Sequence, residues 1–203
     1  MKHFEKALRD IVEPWGIQLR ALQVQRMWQH WQMVHVWNER TNLTSIDTDI
    51  DAAILHYADS LTAAPDLFGD RLLDIGSGGG YPGIPLAIYR PDVRVTLLEL
   101  RRRRCSFLRK AVADIGLSNV RVLEGDVAKV VGDLFTTAVT RAVFSDTAGL
   151  AQCLAWLEER GKLIAYRSDL EAPLPLDPEF RPYILAGRKR TLALWTRVVE
   201  KLT

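Results

Sequence analysis

The run from Leu72 to Gly83, Leu-Leu-Asp-Ile-Gly-Ser-Gly-Gly-Gly-Tyr-Pro-Gly, constrains this chain more than any other stretch. Leu72, Leu73 and Ile75 make a near-continuous apolar segment, as expected of a parallel strand covered on both faces. Gly76, Gly78, Gly79 and Gly80 follow at once, and backbone without a Cβ can turn sharply and approach a ligand closely. Pro82 or Pro85, with φ already fixed, suits the first turn of a helix. Strand, glycine loop and helix start in this order predict a cradle for a nucleotide-like cofactor, with the free amides of the helix aimed over the loop. Turn-rich linkers also produce glycine clusters, so the surrounding sequence has to decide.

A chain of 203 residues suits one well-packed domain with a modest extension, and a core of that size buries around 70% of the unfolded surface. Its 48% hydrophobic and 26% charged residues are ordinary for a globular protein and argue against disorder. Cys105 and Cys153 stand alone, which suggests neither a disulfide framework nor a zinc site and points to the reducing cytoplasm; no metal is expected. Met1 to Asp10 mixes acidic and basic residues, so neither a signal peptide nor a membrane helix is predicted. The formal charge is only +2, and a nucleic-acid partner would therefore have to meet grouped basic residues.

The N-terminal third reads as helices. His3 to Glu13 should form one that stops before Pro14. Leu19 to Trp37 should form another, with Val24, Met27, Trp28, Trp31 and Val34 on one face. Trp15, Trp28, Trp31 and Trp37 lie near Arg20, Arg26 and Arg40, a combination able to stack RNA bases. A stripe at helical spacing is nonetheless read first as core. After a polar loop over Trp37 to Thr44, a further helix begins near Asp49. On it His56, Asp59 and Ser60 share a face at i, i+3 and i+4. Two readings stand there: Asp59 orients His56 or raises its pKa, or the three are a solvated or capping cluster.

Beyond the glycine loop, Val93 to Glu99 predicts a second strand ending in an acid, about 20 residues past the loop, where a carboxylate accepts ribose hydroxyls. Arg101 to Arg104 lead into a helix that Gly116 should stop; some of these arginines are read as solvated and one or two as phosphate contacts. Asn119 to Glu124 predicts a third strand closed by Gly125-Asp126, and Phe135 to Arg141 a fourth that places Arg141 at the mouth of the site. A helix from Asp146 to Leu157, a strand from Lys162 to Arg167 and a proline-rich connection from Pro173 to Pro182 follow. Strands Tyr183 to Leu185 and Thr191 to Val198, joined by Gly187-Arg188-Lys189-Arg190, close the chain. Such alternation predicts an α/β fold with a doubly wound, mainly parallel sheet.

The glycine spacing narrows the ligand. Tyr81 stands where the dinucleotide fingerprint requires its third glycine. Gly-x-Gly-x-Gly is instead similar to the loop of S-adenosylmethionine (SAM) enzymes. That resemblance implies a Rossmann-like class I methyltransferase with a seven-stranded sheet ending in an antiparallel hairpin, on which Asp126 receives the adenine amino group; taken by itself, Gly125-Asp126 also reads as a turn-forming pair. Residues 1–66 are then an N-terminal helical extension packed on the core, and 67–203 the methyltransferase domain.

A closer resemblance rests on an ordered set of elements: Trp37-Asn38, Asn42-Leu43-Thr44, His56-x-x-Asp59-Ser60-Leu61, Leu73-Asp74-Ile75-Gly76 through Leu86, and Thr140-Arg141-Ala142. Together they resemble the GidB/RsmG family, which methylates a guanine at N7 in the small-subunit (16S) ribosomal RNA of bacteria. The resemblance spans roughly residues 20–165. It implies cofactor contacts from Gly76, Ser77, Gly78, Gly80, Tyr81, Glu99, Asp126, the backbone of Val127 and Ala128, and Arg141. Asn42, His56, Asp59 and Arg141 are expected to shape the pocket, with no certain catalytic residue. Arg103, Arg104, Arg167, Arg188, Lys189 and Arg190 are expected to grip RNA.

The family usually has Phe where Val143 stands and Lys-Gly where Arg167-Ser168 stands, and the segment after Arg167 is shorter. Arg167 keeps the lysine's charge but not its geometry. Two other classes fit parts of the pattern: a small-molecule methyltransferase, and a non-catalytic RNA-binding or ribosome-assembly factor. A cytoplasmic monomer is expected, with SAM as cofactor and S-adenosylhomocysteine as product.

Overall fold

Seven strands alternating with helices follow the glycine-loop pattern. The computed structural model describes residues 1–129, 132–141, 146–167 and 176–198. The elements are β1 (Arg71–Ile75), α5 (Gly83–Tyr89), β2 (Arg94–Glu99), α6 (Arg102–Ile115), β3 (Val120–Glu124), β4 (Phe135–Arg141), α7 (Thr147–Ala155), β5 (Leu157–Arg167), β6 (Glu179–Leu185) and β7 (Arg188–Thr196). They are preceded by α1 (Lys2–Val12), α2 (Ala21–Thr41), α3 (Asp49–Ala52), a π-helical stretch Ala53–Ala58 and α4 (Asp59–Leu61).

The sheet order is β3-β2-β1-β4-β5-β7-β6. Strands β1 to β5 pair in parallel, and β7 is antiparallel to both β5 and β6. The order reverses between β1 and β4, and ligands of open α/β sheets bind beyond the carboxyl ends of strands at such a switch point. The expected doubly wound sheet with a closing hairpin is therefore what forms.

Burial on both faces explains the apolar runs. Leu72 packs into one core cluster, and Leu73 and Ile75 into the other. The first cluster is shared with the N-terminal helices: Phe4, Leu8, Met27, Trp31, Val34, Tyr57 and Leu61 join Ile84, Leu97 and Phe107 in it. Of the tryptophan stripe, Trp31 is fully buried with its indole N–H on Asp49 (2.8 Å), while Trp15, Trp28 and Trp37 pack half-buried against that core.

Several boundaries differ from expectation. The first helix ends at Val12 and continues as a 3-10 turn through Pro14 (Glu13–Trp15), because proline is tolerated in a helix's first turn. β5 begins at Leu157, earlier than Lys162, across an irregularity in its pairing with β4. β6 begins at Glu179, inside the span read as a proline-rich connection, and Pro182 sits in it because β6 is the edge strand. The hairpin turn is only Ala186-Gly187, both at positive φ (48° and 75°), so Arg188, Lys189 and Arg190 belong to β7. Residues 173–175, Ala142, Val143 and Ser168 lie outside the described residues.

Gly83, the first residue of α5, is a glycine for packing reasons: a Cβ there would lie 2.4 Å from Leu97 and 2.6 Å from the Asp74 carboxylate, and its φ is not left-handed. Gly83→Ala should therefore lower unfolding free energy by about 1–3 kcal/mol, the usual cost of overpacking. Urea denaturation checks this, and a midpoint equal to wild type would refute the packing account.

Candidate functional site

The carboxyl ends of β1 to β4 assemble the site. The amides of Gly76 and Ser77 both donate to the Leu98 carbonyl (2.8 and 3.1 Å), which pins the loop's first residues to β2. The loop then turns through left-handed Gly76, Gly78 and Gly80. At Gly78 (φ +54°) an added Cβ would make only ordinary contacts, 3.8 Å from the Arg104 guanidinium and from the Gly76 carbonyl, so it is the left-handed backbone that asks for glycine there.

Glu99, only 5% exposed, stands at the end of β2 beside the loop. Its two carboxylate oxygens accept from the amides of Gly78 (2.9 Å) and Arg101 (2.8 Å). Each oxygen keeps a lone pair, and a carboxylate fixed in this way can accept both hydroxyls of a ribose. Gly125 donates to the Glu99 carbonyl (3.0 Å), which brings the turn after β3 alongside. There Asp126 accepts from the Ala128 amide (3.0 Å), and the Trp156 indole donates to the Val127 carbonyl (2.8 Å). Glycine loop, buried acid and anchored turn thus lie in a row, a donor and acceptor set that fits an adenosine-bearing cofactor.

One expectation fails. The first amide of α5 is not free to face a ligand: Gly83 N–H donates to Asp74 Oδ2 (3.0 Å), and Ile84 N–H to the Gly80 carbonyl (2.8 Å). Asp74 is fully buried, its other oxygen has no described partner, and burial pushes its pKa up to about 7.

Beneath the loop lies a buried cluster that ties it to the N-terminal helices. Tyr81 stacks on His56, ring centroids 4.2 Å apart and planes 13° apart, and its hydroxyl donates to Tyr57 (3.1 Å). The Tyr57 hydroxyl bonds His30 Nδ1 (2.9 Å), and Thr44 bonds His56 Nε2 (2.8 Å). Arg141, at the end of β4, lies over Tyr81 (5.4 Å to the ring), approaches His56 Nδ1 (3.4 Å) and pairs with Asp59 (3.6 Å).

Asp59 therefore does not orient His56, and the cluster is not solvated: His56, Asp59 and Ser60 are all buried. The π-helical stretch Ala53–Ala58 breaks the 3.6-residue period on which the shared face depended. His56 is left on Tyr81, while Asp59 meets Arg141, Arg190 (3.4 Å) and the Tyr183 hydroxyl (2.7 Å). Nor is the His56 pKa raised; burial, then the charges of Arg141 and His30, lowers it to about 3.

The predicted RNA-gripping residues divide. Arg188 and Lys189 are exposed beside the hairpin turn, as is Arg103 at the start of α6, and Arg167 is half-buried at the end of β5. Arg104 donates to the Asn42 carbonyl (3.1 Å) and sits beside Gly78, joining the loop after α2 to the cradle. Arg190 is committed to Asp59 in the interior, so its place in the sequence beside Lys189 was misleading. Asn42 is exposed and caps α2 in the left-handed region (φ 49°). It is Asn38 that holds this loop, accepting from Leu43 and Thr44 and donating to the Thr44 carbonyl. His30 and Tyr57 were not anticipated, although His30 lies three residues after Met27 and four before Val34, on the buried stripe.

Fold and site together define a class I SAM-dependent methyltransferase. Among solved structures, an RNA methyltransferase from Salinibacter ruber in complex with S-adenosyl-L-homocysteine superposes with a TM-score of 0.54 at 22% identity, covering 71% of this chain and 93% of that one. A SAM-dependent methyltransferase from Aquifex aeolicus gives 0.53 at 13% identity, covering 68% and 89%. In sequence, residues 23–173 match the GidB family, described as rRNA small subunit methyltransferase G. The chain is 35% identical over 158 residues to ribosomal RNA small subunit methyltransferase G of Neisseria meningitidis serogroup A, covering 77% of this chain and 76% of the relative. It is 32% identical over 171 residues to the Sodalis glossinidius protein of the same name, covering 81% of each. The chain belongs to the rRNA small subunit methyltransferase G family.

The buried imidazoles give a pH prediction. His30, like His56, is lowered to about 3 from 6.5, chiefly by burial. A depressed base binds its proton in the unfolded chain first, so stability is present above pH 6.5 and is lost as pH falls toward 3. The loss at pH 4.5 is about 2–3 kcal/mol per imidazole. Asp74 acts in the opposite direction, since its raised pKa makes the folded state bind the proton first, and its contribution is lost as pH rises through about 7. NMR titration should show the His30 and His56 ring signals unmoved from pH 8 to pH 5; a midpoint near 6.5 for either would refute their burial as neutral rings.

Proposed function

We propose that this chain transfers the methyl group of SAM to N7 of a guanine in the 16S ribosomal RNA of the bacterial small subunit. The observation that carries this reading is the commitment of the polar groups around Tyr81 to other protein groups. His56 is bonded to Thr44 and faces Arg141, Asp59 is neutralised by two arginines and a tyrosine, and Tyr81 is bonded to Tyr57. None is placed to take a proton. Guanine N7 asks for none, because its lone pair lies in the ring plane with no hydrogen to remove. SAM, when bound, supplies a methyl group on a sulfonium, which leaves as a neutral thioether while its positive charge passes to the base. What the protein adds is alignment of the two reactants and exclusion of water.

The residues divide that work. Gly76, Ser77, Gly78, Gly80 and Tyr81 hold the methionine part of the cofactor, with Arg141 facing its carboxylate. Glu99 takes the ribose hydroxyls; Asp126 and the backbone of Val127 and Ala128 take the adenine. Asn42, His56, Asp59 and Arg141 wall the acceptor pocket, His56 and Asp59 doing so by fixing Tyr81 and Arg141. Arg103, Arg104, Arg167, Arg188 and Lys189 meet the phosphates. We propose further that it acts as a monomer, in the cytoplasm with the ribosome.

Incubating the purified chain with SAM and small subunits or 16S RNA should yield N7-methylguanine by mass spectrometry. A preparation that binds SAM and makes no such product would refute the reading, and one that does not bind SAM by calorimetry would favour a non-catalytic factor. Glu99→Gln should weaken SAM binding roughly tenfold or more, since hydrogen bonds to a charged acceptor are worth about 1.5–3 kcal/mol. An affinity equal to wild type would remove Glu99 from the ribose role.

A further inference from the structure

Many arginines of this protein are held by carboxylates, and a few that are not lie close together. Arg9, Arg71, Arg90, Arg94, Arg109, Arg121, Arg141, Arg181 and Arg190 each pair with a carboxylate. Arg40, at the end of α2, and Arg101, Arg102 and Arg103, at the start of α6, are exposed and pair with no carboxylate among the described residues. Of these, Arg40 and Arg103 come together where the two helices meet. Between them lies an open groove of about 530 Å³ lined by Val36, Trp37, Glu39, Arg40, Arg103 and Ser106. Its floor is apolar: Trp37 packs half-buried against Phe107 (5.6 Å between centroids), and Val36 is 66% exposed beside it.

We propose that this groove is a nucleotide-binding subsite for single-stranded RNA, taking one base on the Trp37 ring and the flanking phosphates on Arg40 and Arg103. This proposal rests on the methyltransferase reading and extends its RNA contact to a surface away from the cofactor cradle. Exposed arginines brought together without a carboxylate partner repel one another, and an anion bound between them relieves that repulsion. Within the groove Glu39 offsets one charge, and Arg40 and Arg103 leave an excess of cation beside an aromatic ring, the combination that holds unpaired bases by stacking and phosphates by charge. Its location also fits. Arg104, next in the chain after Arg103, turns the other way, onto the Asn42 carbonyl and toward Gly78. A strand laid in the groove therefore continues toward the cradle, with the acceptor guanine a short distance along it.

The test compares three variants, Arg40→Glu, Arg103→Glu and Trp37→Leu, with Arg94→Glu as a charge reversal at the opposite end of β2. Folding is verified by thermal unfolding and by SAM affinity within twofold of wild type. Steady-state methylation of small subunits should show KM for RNA raised tenfold or more by each groove reversal, and less than threefold by Arg94→Glu. In filter binding with a 16S fragment, each reversal should reduce the salt slope by about one. Trp37→Leu should weaken binding about tenfold at every salt concentration without changing the slope. If Trp37→Leu does not fold, the two reversals decide.

KM and salt slope at wild-type values for Arg40→Glu and Arg103→Glu would overturn the proposal, as would an equal loss in Arg94→Glu. Wild-type protein that methylates no small-subunit RNA would instead refute the proposed function, and the binding series would still decide the groove.

Discussion

Tyr81 is held on three sides, and the order of the cofactor loop depends on that grip. A loop with four glycines in five residues loses more backbone freedom on ordering than one whose residues carry side chains. The compensation comes from the first side chain after it: the Tyr81 ring lies flat on His56, its hydroxyl bonds Tyr57, and Arg141 sits over it. His56 and Tyr57 come from the helical stretch before the sheet, and Tyr57 is in turn bonded to His30 of α2. The N-terminal helices are therefore part of the cradle's foundation, and the first core cluster runs without interruption from Phe4 to the sheet.

Much of this was legible in the sequence because it obeys local rules. Leu72 to Gly83 gave strand, loop and helix in their places, Gly116 gave the left-handed stop of α6, and Glu99 stood at the end of β2. What escaped notice was governed by long-range packing. The face shared by His56 and Asp59 assumed a regular helix, and a π-helical stretch altered it. Arg190 read as surface because its neighbours are basic, whereas a carboxylate 131 positions earlier draws it inward. The amides of α5 looked available because nothing in the sequence shows that Asp74 turns onto Gly83. Periodicity reports which side of an element is buried, and it is silent on which distant partner a buried polar group will meet.

Burying charge in this site costs desolvation, and the cost is met by pairing each charged group. Arg141 illustrates the result. Its guanidinium is oriented by Asp59 below, the Leu55 carbonyl beside it and the Tyr81 ring, all before any ligand arrives. A cation fixed in this way needs little reorganisation to receive an anionic group, which is how preorganised dipoles and charges act more strongly than the same groups in water.

The Asp59 carboxylate has a consequence for how the protein comes into being. Its partners stand at Arg141, Tyr183 and Arg190, so the buried charge is balanced only by strands made far later than the helix that carries it. On the ribosome, the first three-quarters of the chain is made while this carboxylate is still without two of its three partners. Contacts of such sequence separation form late. The finished pocket is therefore conditional on the last hairpin, and a nascent or truncated chain lacks the charge balance that a complete one has.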